Sequence, residues 1–140
     1  MKGRRKDKGF TLIELLLVVV IIGILAAIVV PKLAGRSEEA RVTQAKGNLA
    51  TFRTALGAYE VDNGKYPTSE QNLMALLMKP SSAPEPKNWK GPYIEGNEIP
   101  LDPWGKPYVY AFPGERNPQS YDLYSEGPDG QPGTGDDIEK

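Results

Sequence analysis

Two groups of residues in this 140-residue chain have types and spacings suited to chemistry. The first is Glu14, the one ionisable side chain between Phe10 and Val30, in a run otherwise made of Phe, Leu, Ile, Val, Ala, Gly and Thr. A carboxylate in an apolar helix costs about 2.5–3.5 kcal/mol at a bilayer centre and less near an interface, so it calls for a partner. The second is the stretch 125–138, which sets Glu126, Asp129, Asp136 and Asp137 among four glycines and two prolines. Asp129, Asp136 and Asp137 would converge on a cation if the glycines let the backbone wrap around it. Hard oxygen donors of this kind suit Ca²⁺, which takes about 6–8 oxygens. The spacing is not that of an EF-hand, whose terminal bidentate Glu is missing. Composition alone favours a different outcome, a solvated and disordered acidic tail.

Much other chemistry is excluded by what the chain lacks. It has no Cys and no His, so thiol nucleophiles, disulfides, thiolate or imidazole zinc sites and imidazole bases are all absent. A membrane-anchored enzyme using the carboxylates has no nucleophile–base pair to support it, and a Gly-rich loop holds catalytic groups poorly. The net charge is −1 and unevenly spread. Residues 1–9 carry Lys2, Arg4, Arg5, Lys6 and Lys8 against Asp7, leaving 12 basic and 17 acidic side chains in the remainder. An acidic body argues against nucleic acid, whose binders cluster cations. A basic N-terminus suits the cytoplasmic side of a membrane.

The elements that must position these residues follow from hydrophobic periodicity. Residues 10–35 form an apolar segment just long enough to span a bilayer, which needs about 20 apolar residues. Val42, Ala45, Leu49, Phe52, Leu56 and Tyr59 then recur at gaps of three and four, one apolar stripe on a helix. One helix from Phe10 to Asp62 is the simplest outcome, with Pro31 kinking or locally melting it and Asn63-Gly64 ending it. The stripe is too short for a strong coiled coil and is expected to pack on its own domain, residues 36–140. Thr68 and Gln71 have capping-box spacing and predict a second short helix, with Leu73, Leu76 and Leu77 inward and Lys79-Pro80 as its end. Residues 108–112 and 121–124 alternate as short strands that pair antiparallel and lie on the long helix. Asp102-Pro-Trp-Gly105 is a turn, with Trp104 capping the core; Trp89 belongs to a core edge or a subunit contact.

Three accounts of the N-terminus compete. A secretory signal peptide would be cut near Leu33-Ala34-Gly35, a plain signal anchor not at all, and a prepilin-type leader between Gly9 and Phe10. Glu14 favours the third. A signal peptide gains nothing from it, and a plain anchor must let it snorkel. A cut before Phe10 creates an amine four residues away, about one helical turn, within reach in the same chain or a staggered neighbour. Desolvated, such a pair fixes register.

Lys8-Gly9-Phe10-Thr11-Leu12-Ile13-Glu14 and the apolar run behind it resemble the processing signature of type IV pilins and type II secretion pseudopilins. The resemblance implies removal of residues 1–9 by a membrane prepilin peptidase, N-methylation of Phe10, and a role for Glu14 in assembly. Tyr66–Gln71, Trp89–Tyr93, Leu101–Tyr108 and Tyr121–Ser125 through Asp137-Ile138 resemble, in order, the body of the major type II secretion pseudopilin; the ending in Glu139-Lys140 departs from it. A type IV pilus major pilin, which usually carries a Cys pair, or a minor pseudopilin, which lacks this run of motifs, is the alternative. The family implies an α+β pilin-like fold: a long N-terminal helix, membrane-spanning in its first half, on a small antiparallel sheet with a C-terminal calcium loop. It implies Ca²⁺ on Asp129, Asp136 and Asp137, with backbone oxygens of Glu126 and Gln131 and an oxygen of Thr134. It also implies a single-pass inner-membrane protein with a periplasmic domain. That protein would polymerise with itself and meet minor pseudopilins and an inner-membrane assembly platform.

Overall fold

The structure, a computed structural model, describes residues 9–139, without the side chains of residues 30–34. The basic residues 2–8 of the expected leader lie outside the described residues. The chain divides into two compact units, ending at Glu39 and beginning at Ala40.

The long helix, α1, is Leu12–Asn63, 52 residues. Its start is fixed by a reciprocal capping box. Glu14 N donates to Thr11 Oγ1 (3.3 Å), while Thr11 N and Oγ1 donate to Glu14 Oε2 at 2.8 and 3.0 Å. The amides at a helix start have no helical partner, and this arrangement satisfies two of them, Thr11 N and Glu14 N, and fixes the entry of the chain. At the far end Gly64, at φ +77°, donates its N–H to Glu60 O at 2.7 Å. That is the left-handed glycine cap expected from Asn63-Gly64. Local melting at Pro31 does not occur, since α1 is continuous through it. A proline removes a single intrahelical donor, and the helix-forming sequence on both sides carries the remaining bonds.

In the first unit the helical segment Leu12–Val29 is long and apolar enough to cross a membrane, and none of its side chains is buried. The second unit supplies its own core. Ala45, Leu49, Phe52, Leu56 and Tyr59 are all buried, and Val42 packs against them. The stripe therefore packs within its own domain, as its periodicity predicts. Two antiparallel strands add side chains to this core: β1, Val109–Ala111, pairs with β2, Asp122–Tyr124, in the register Tyr110 to Leu123, with Tyr110 in the core and Leu123 packed against it. Tyr108, just before β1, sets its ring edge-on to Phe52 at 5.1 Å, and its hydroxyl accepts from Asn48 Nδ2 at 2.9 Å. A buried tyrosine needs such a partner.

The second helix shrinks to one 3-10 turn, Leu73–Leu76. Its capping box does form, with Gln71 N on Thr68 Oγ1 (3.2 Å) and Thr68 N on Gln71 Oε1 (3.1 Å). Asn72 then takes φ 51°, ψ −168° and breaks the helical path, its side chain accepting from Leu73 N at 2.7 Å. The Gln71 amide also bonds outward, Nε2 donating to the carbonyls of Ser82 and Pro84 while Oε1 stays in the box. Tertiary bonds to the Pro-rich loop outweigh helix propensity there. The inward residues Leu73, Leu76 and Leu77 are nevertheless buried. Trp104 packs against the core, and Trp89 lies at its edge, Nε1 donating to Ala75 O at 2.9 Å.

Candidate functional site

The chemistry-bearing residues occupy one place in each unit. In the first, Gly9 and Phe10 are exposed just before α1, and Phe10 lies four residues before Glu14. The Glu14 carboxylate is engaged by Thr11, through both its amide and its hydroxyl. Thr11 is a participant missed by sequence reasoning, although Thr11-x-x-Glu14 is the same signature recognised at Thr68 and Gln71. It was obscured because a capping box is normally sought before an amphipathic helix, not a uniformly apolar one.

In the second unit, the stretch 125–138 is a closed loop. Ser125 N donates to Ile138 O and Ile138 N to Ser125 O, both at 2.9 Å, and Ile138 is buried in the core. The disordered tail favoured by composition is thus replaced by a tied Ω-like loop, because one apolar residue at its end reaches the core. Gly127 and Gly130 take positive φ, 68° and 62°. A Cβ on Gly127 would strike the Asp136 carbonyl, and one on Gly130 the Lys106 side chain. Backbone direction favours glycine at both, and at Gly127 the fixed Asp136 carbonyl leaves no space for a side chain either, whereas the Lys106 chain beside Gly130 can move.

Within the loop, Asp129, Gln131, Thr134 and Asp136 meet. Thr134 Oγ1 lies 2.6 Å from Asp136 Oδ1, 2.9 Å from Gln131 O and 3.3 Å from Asp129 Oδ1. A hydroxyl carries one proton, so the three acceptors around Thr134 Oγ1 share one donor. Gln131 N donates to Asp129 Oδ1 (2.8 Å) and Asp129 N to Asp136 Oδ2 (3.1 Å). The Thr134 hydroxyl and the Asp129 amide hold the Asp136 carboxyl below the usual carboxylate range.

Asp137 is drawn elsewhere. Its Oδ2 accepts from Arg116 Nη2 (2.8 Å) and Gly133 N (2.9 Å), while its Oδ1 is buried and has no hydrogen-bond partner. The Glu126 carboxylate lies against Lys106 Nζ at 3.3 Å, and Lys106 also donates to Gly130 O at 2.5 Å. Among the described residues no three carboxylates assemble into a ready-made metal cage. The all-oxygen donors, their excess of acceptors over protons and the donorless Asp137 Oδ1 nonetheless fit a hard cation.

The loop is tied to the scaffold by a buried carboxylate that sequence reasoning placed only in a turn. Asp102 Oδ1 accepts from Trp104 N (3.1 Å) and Lys106 N (2.8 Å), and its Oδ2 accepts from Ser125 Oγ (2.6 Å). The same Ser125 Oγ accepts from Gly127 N at 3.2 Å. Asp122 plays the matching part for the β1–β2 turn, accepting from the amides of Arg116 and Asn117. The Asp102–Trp104 bond is a local Asx-turn, but Ser125 lies 23 residues from Asp102 and no local pattern announces that bond.

Comparison with known proteins agrees with both halves. Residues 4–30 match the prokaryotic N-terminal methylation motif, and residues 32–140 match the model of type II secretion system protein G. The chain is 50% identical to type II secretion system core protein G of Pseudomonas aeruginosa over 134 residues, 95% of this chain and 92% of that one. It is 46% identical to the Vibrio cholerae protein of the same name, covering 99% and 94%. The crystal structure of the major pseudopilin from the type 2 secretion system of enterohaemorrhagic Escherichia coli superimposes with a TM-score of 0.65 at 40% identity. That match covers 74% of this chain and 85% of that one. Of the pilin-like alternatives the matches select the secretion branch: the chain belongs to the type II secretion system protein G family, the major pseudopilins.

Proposed function

We propose that the chain is cut between Gly9 and Phe10 by a prepilin peptidase, methylated at the Phe10 amine, and polymerised as the main subunit of a periplasmic pseudopilus. Before assembly residues 10–35 hold it in the inner membrane as a single pass, with residues 36–140 in the periplasm. Its partners are further copies of itself, minor pseudopilins and an inner-membrane platform, and growth of the filament drives folded proteins through the outer membrane. The subunit contributes no covalent chemistry of its own. The observation that supports this most directly is the wholly exposed apolar segment with Glu14 as its one charge. A soluble domain has no use for such a surface, whereas packing into a bilayer and then against copies of itself covers it. Glu14 meets the Phe10 amine of its own or a neighbouring chain and sets the axial register.

Intact-mass analysis of membrane-extracted protein tests the processing: it should lack residues 1–9 and carry one added methyl. Gly9→Leu should leave full-length precursor in the membrane. Normal filaments from Glu14→Val would remove the charge-pairing mechanism.

Calcium belongs to the same proposal. Asp129, Asp136 and Asp137, with Thr134 and the backbone oxygens of Gln131 and Glu126, would hold Ca²⁺, which supplies the positive charge that the crowded oxygens lack. The chain's own part is to bring those donors together and to transmit the closed loop to the sheet through Ser125 and Ile138. Full-length protein in micelles should melt at a higher temperature in Ca²⁺ than in EGTA; equal temperatures would remove the site.

A further inference from the structure

Arg116 lies between β1 and β2, outside the acidic loop, yet it grips the loop's end. Its guanidinium is fixed on several sides. The carbon sits 4.2 Å from the Tyr124 ring centroid, Nη2 donates to Asp137 Oδ2 at 2.8 Å, and Nη1 bonds Glu139. Its backbone amide is pinned in turn to the buried Asp122 at 2.8 Å. The Asp137 side chain is only 6% exposed. With Gly133 N as second donor, Oδ2 is saturated, and Oδ1 is left buried with no donor. A buried carboxylate oxygen without a donor is costly unless something positive meets it.

We propose that Arg116 is a positioning residue for the loop's Ca²⁺: it holds Asp137 by one oxygen and so presents the other to the cation. The proposal rests on the calcium reading above. A carboxylate shared between a guanidinium and a metal is oriented from behind, as metal ligands generally are by their outer hydrogen-bond partners. Arg116 does not cancel the field that attracts the ion. Residues 126–139 carry five acidic side chains, and the basic residues bonded to them are Arg116 and Lys106. The contrary possibility is that the guanidinium competes with Ca²⁺ for Asp137, and the two predict opposite signs.

The test titrates CaCl₂ into the full-length chain in detergent micelles by calorimetry, with melting curves in Ca²⁺ and in EGTA. Arg116→Gln should weaken calcium binding by about 10–100-fold, the range for losing an outer partner of a metal ligand, and shrink the melting difference between Ca²⁺ and EGTA. Arg116→Lys should recover part of the affinity, since lysine keeps the charge but loses the fork. Glu139→Gln, which removes the other partner and one of the five acidic charges, should weaken binding less than Arg116→Gln. Binding by Arg116→Gln as tight as wild type overturns the proposal, and tighter binding makes Arg116 a competitor. If Arg116→Gln does not fold, Arg116→Met decides in its place: it keeps the stem beside Tyr124 but has no donor for Asp137 Oδ2, so binding as tight as wild type equally overturns the proposal. A wild-type chain that binds no calcium defeats this inference and the calcium reading together, whereas wild-type binding with an indifferent Arg116 defeats this inference alone.

Discussion

The two stretches of α1 meet solvent in opposite ways. In the first, Ile13, Val19 and Ile22 are 59–70% exposed in a run whose one charged side chain is Glu14. In the second, Leu49, Phe52 and Leu56 are at most 1% exposed, with Lys46 and Thr54 on the other face. A single helix thus carries one segment that needs an external environment to bury it and another that makes its own core. The first is an exposed apolar surface that fits membrane anchoring, the second the foundation of a folded unit. On the proposed function, that division would let the subunit leave a membrane and enter a filament without unfolding, provided that the globular unit's stability is independent of what surrounds the apolar segment.

The largest effect expected from that contrast is at Phe52. Phe52→Ala removes a fully buried ring and its edge-on contact with Tyr108, and should cost about 3–5 kcal/mol. Ile21→Ala, an apparently similar change, should leave the melting of the globular unit unmoved and alter only membrane extraction or filament yield. Equal losses of melting temperature at the two sites would break the comparison.

A smaller effect concerns the loop. If Ca²⁺ is present at about 100 times its dissociation constant, mass action adds about 2.7 kcal/mol to the native state. Chelation should therefore lower the melting temperature of the globular unit while leaving protease resistance of the apolar segment in micelles unaltered. Simultaneous loss at both would show that the units are not energetically separate.

Legibility in the sequence divides along the same line. The apolar segment, the stripe from Val42 to Tyr59, the Gly64 cap and the strand pair were all readable, because each is a local pattern of period 3.6, period 2 or turn chemistry. The failures come where distant partners decide. Gln71 turns to the carbonyls of Ser82 and Pro84 and the second helix collapses to a 3-10 turn. Asp102 reaches Ser125 across 23 residues and Arg116 reaches Asp137 across 21. The acidic residues of the loop were visible, but nothing in their spacing shows that Thr134 gathers two of them while Arg116 bonds the third.

The capping box offers a test of about 1 kcal/mol. Thr11→Ala removes the N-cap hydroxyl, a loss of about 0.5–2 kcal/mol in helix stability. It also removes one of the two Thr11 donors to Glu14. Amide exchange in the first turn of α1 should accelerate, with the melting of the globular unit unchanged. Unaltered exchange would show that membrane or micelle packing, not the cap, sets the helix start.

The smallest effect is a pH dependence confined to the loop. Asp136 is held below its ordinary value of 3.8, first by the Thr134 hydroxyl and then by the Asp129 amide. A carboxyl depressed in the folded state contributes stability that is present above the unfolded pKa and is lost as pH falls through the folded one. In EGTA, the gap in melting temperature between wild type and Asp136→Asn should therefore hold steady from neutral pH down to the ordinary carboxylate range. It should then close as the medium becomes more acid, because protonation of wild-type Asp136 makes the two side chains equivalent in charge. Ile21→Ala compared with wild type should show no such closure, since no titrating group separates them. A gap at Asp136 that stays constant through that acid range would mean that the Thr134 and Asp129 bonds do not favour the ionised carboxylate. The loop's oxygens would then be shielded by something other than the hydrogen bonds that crowd them.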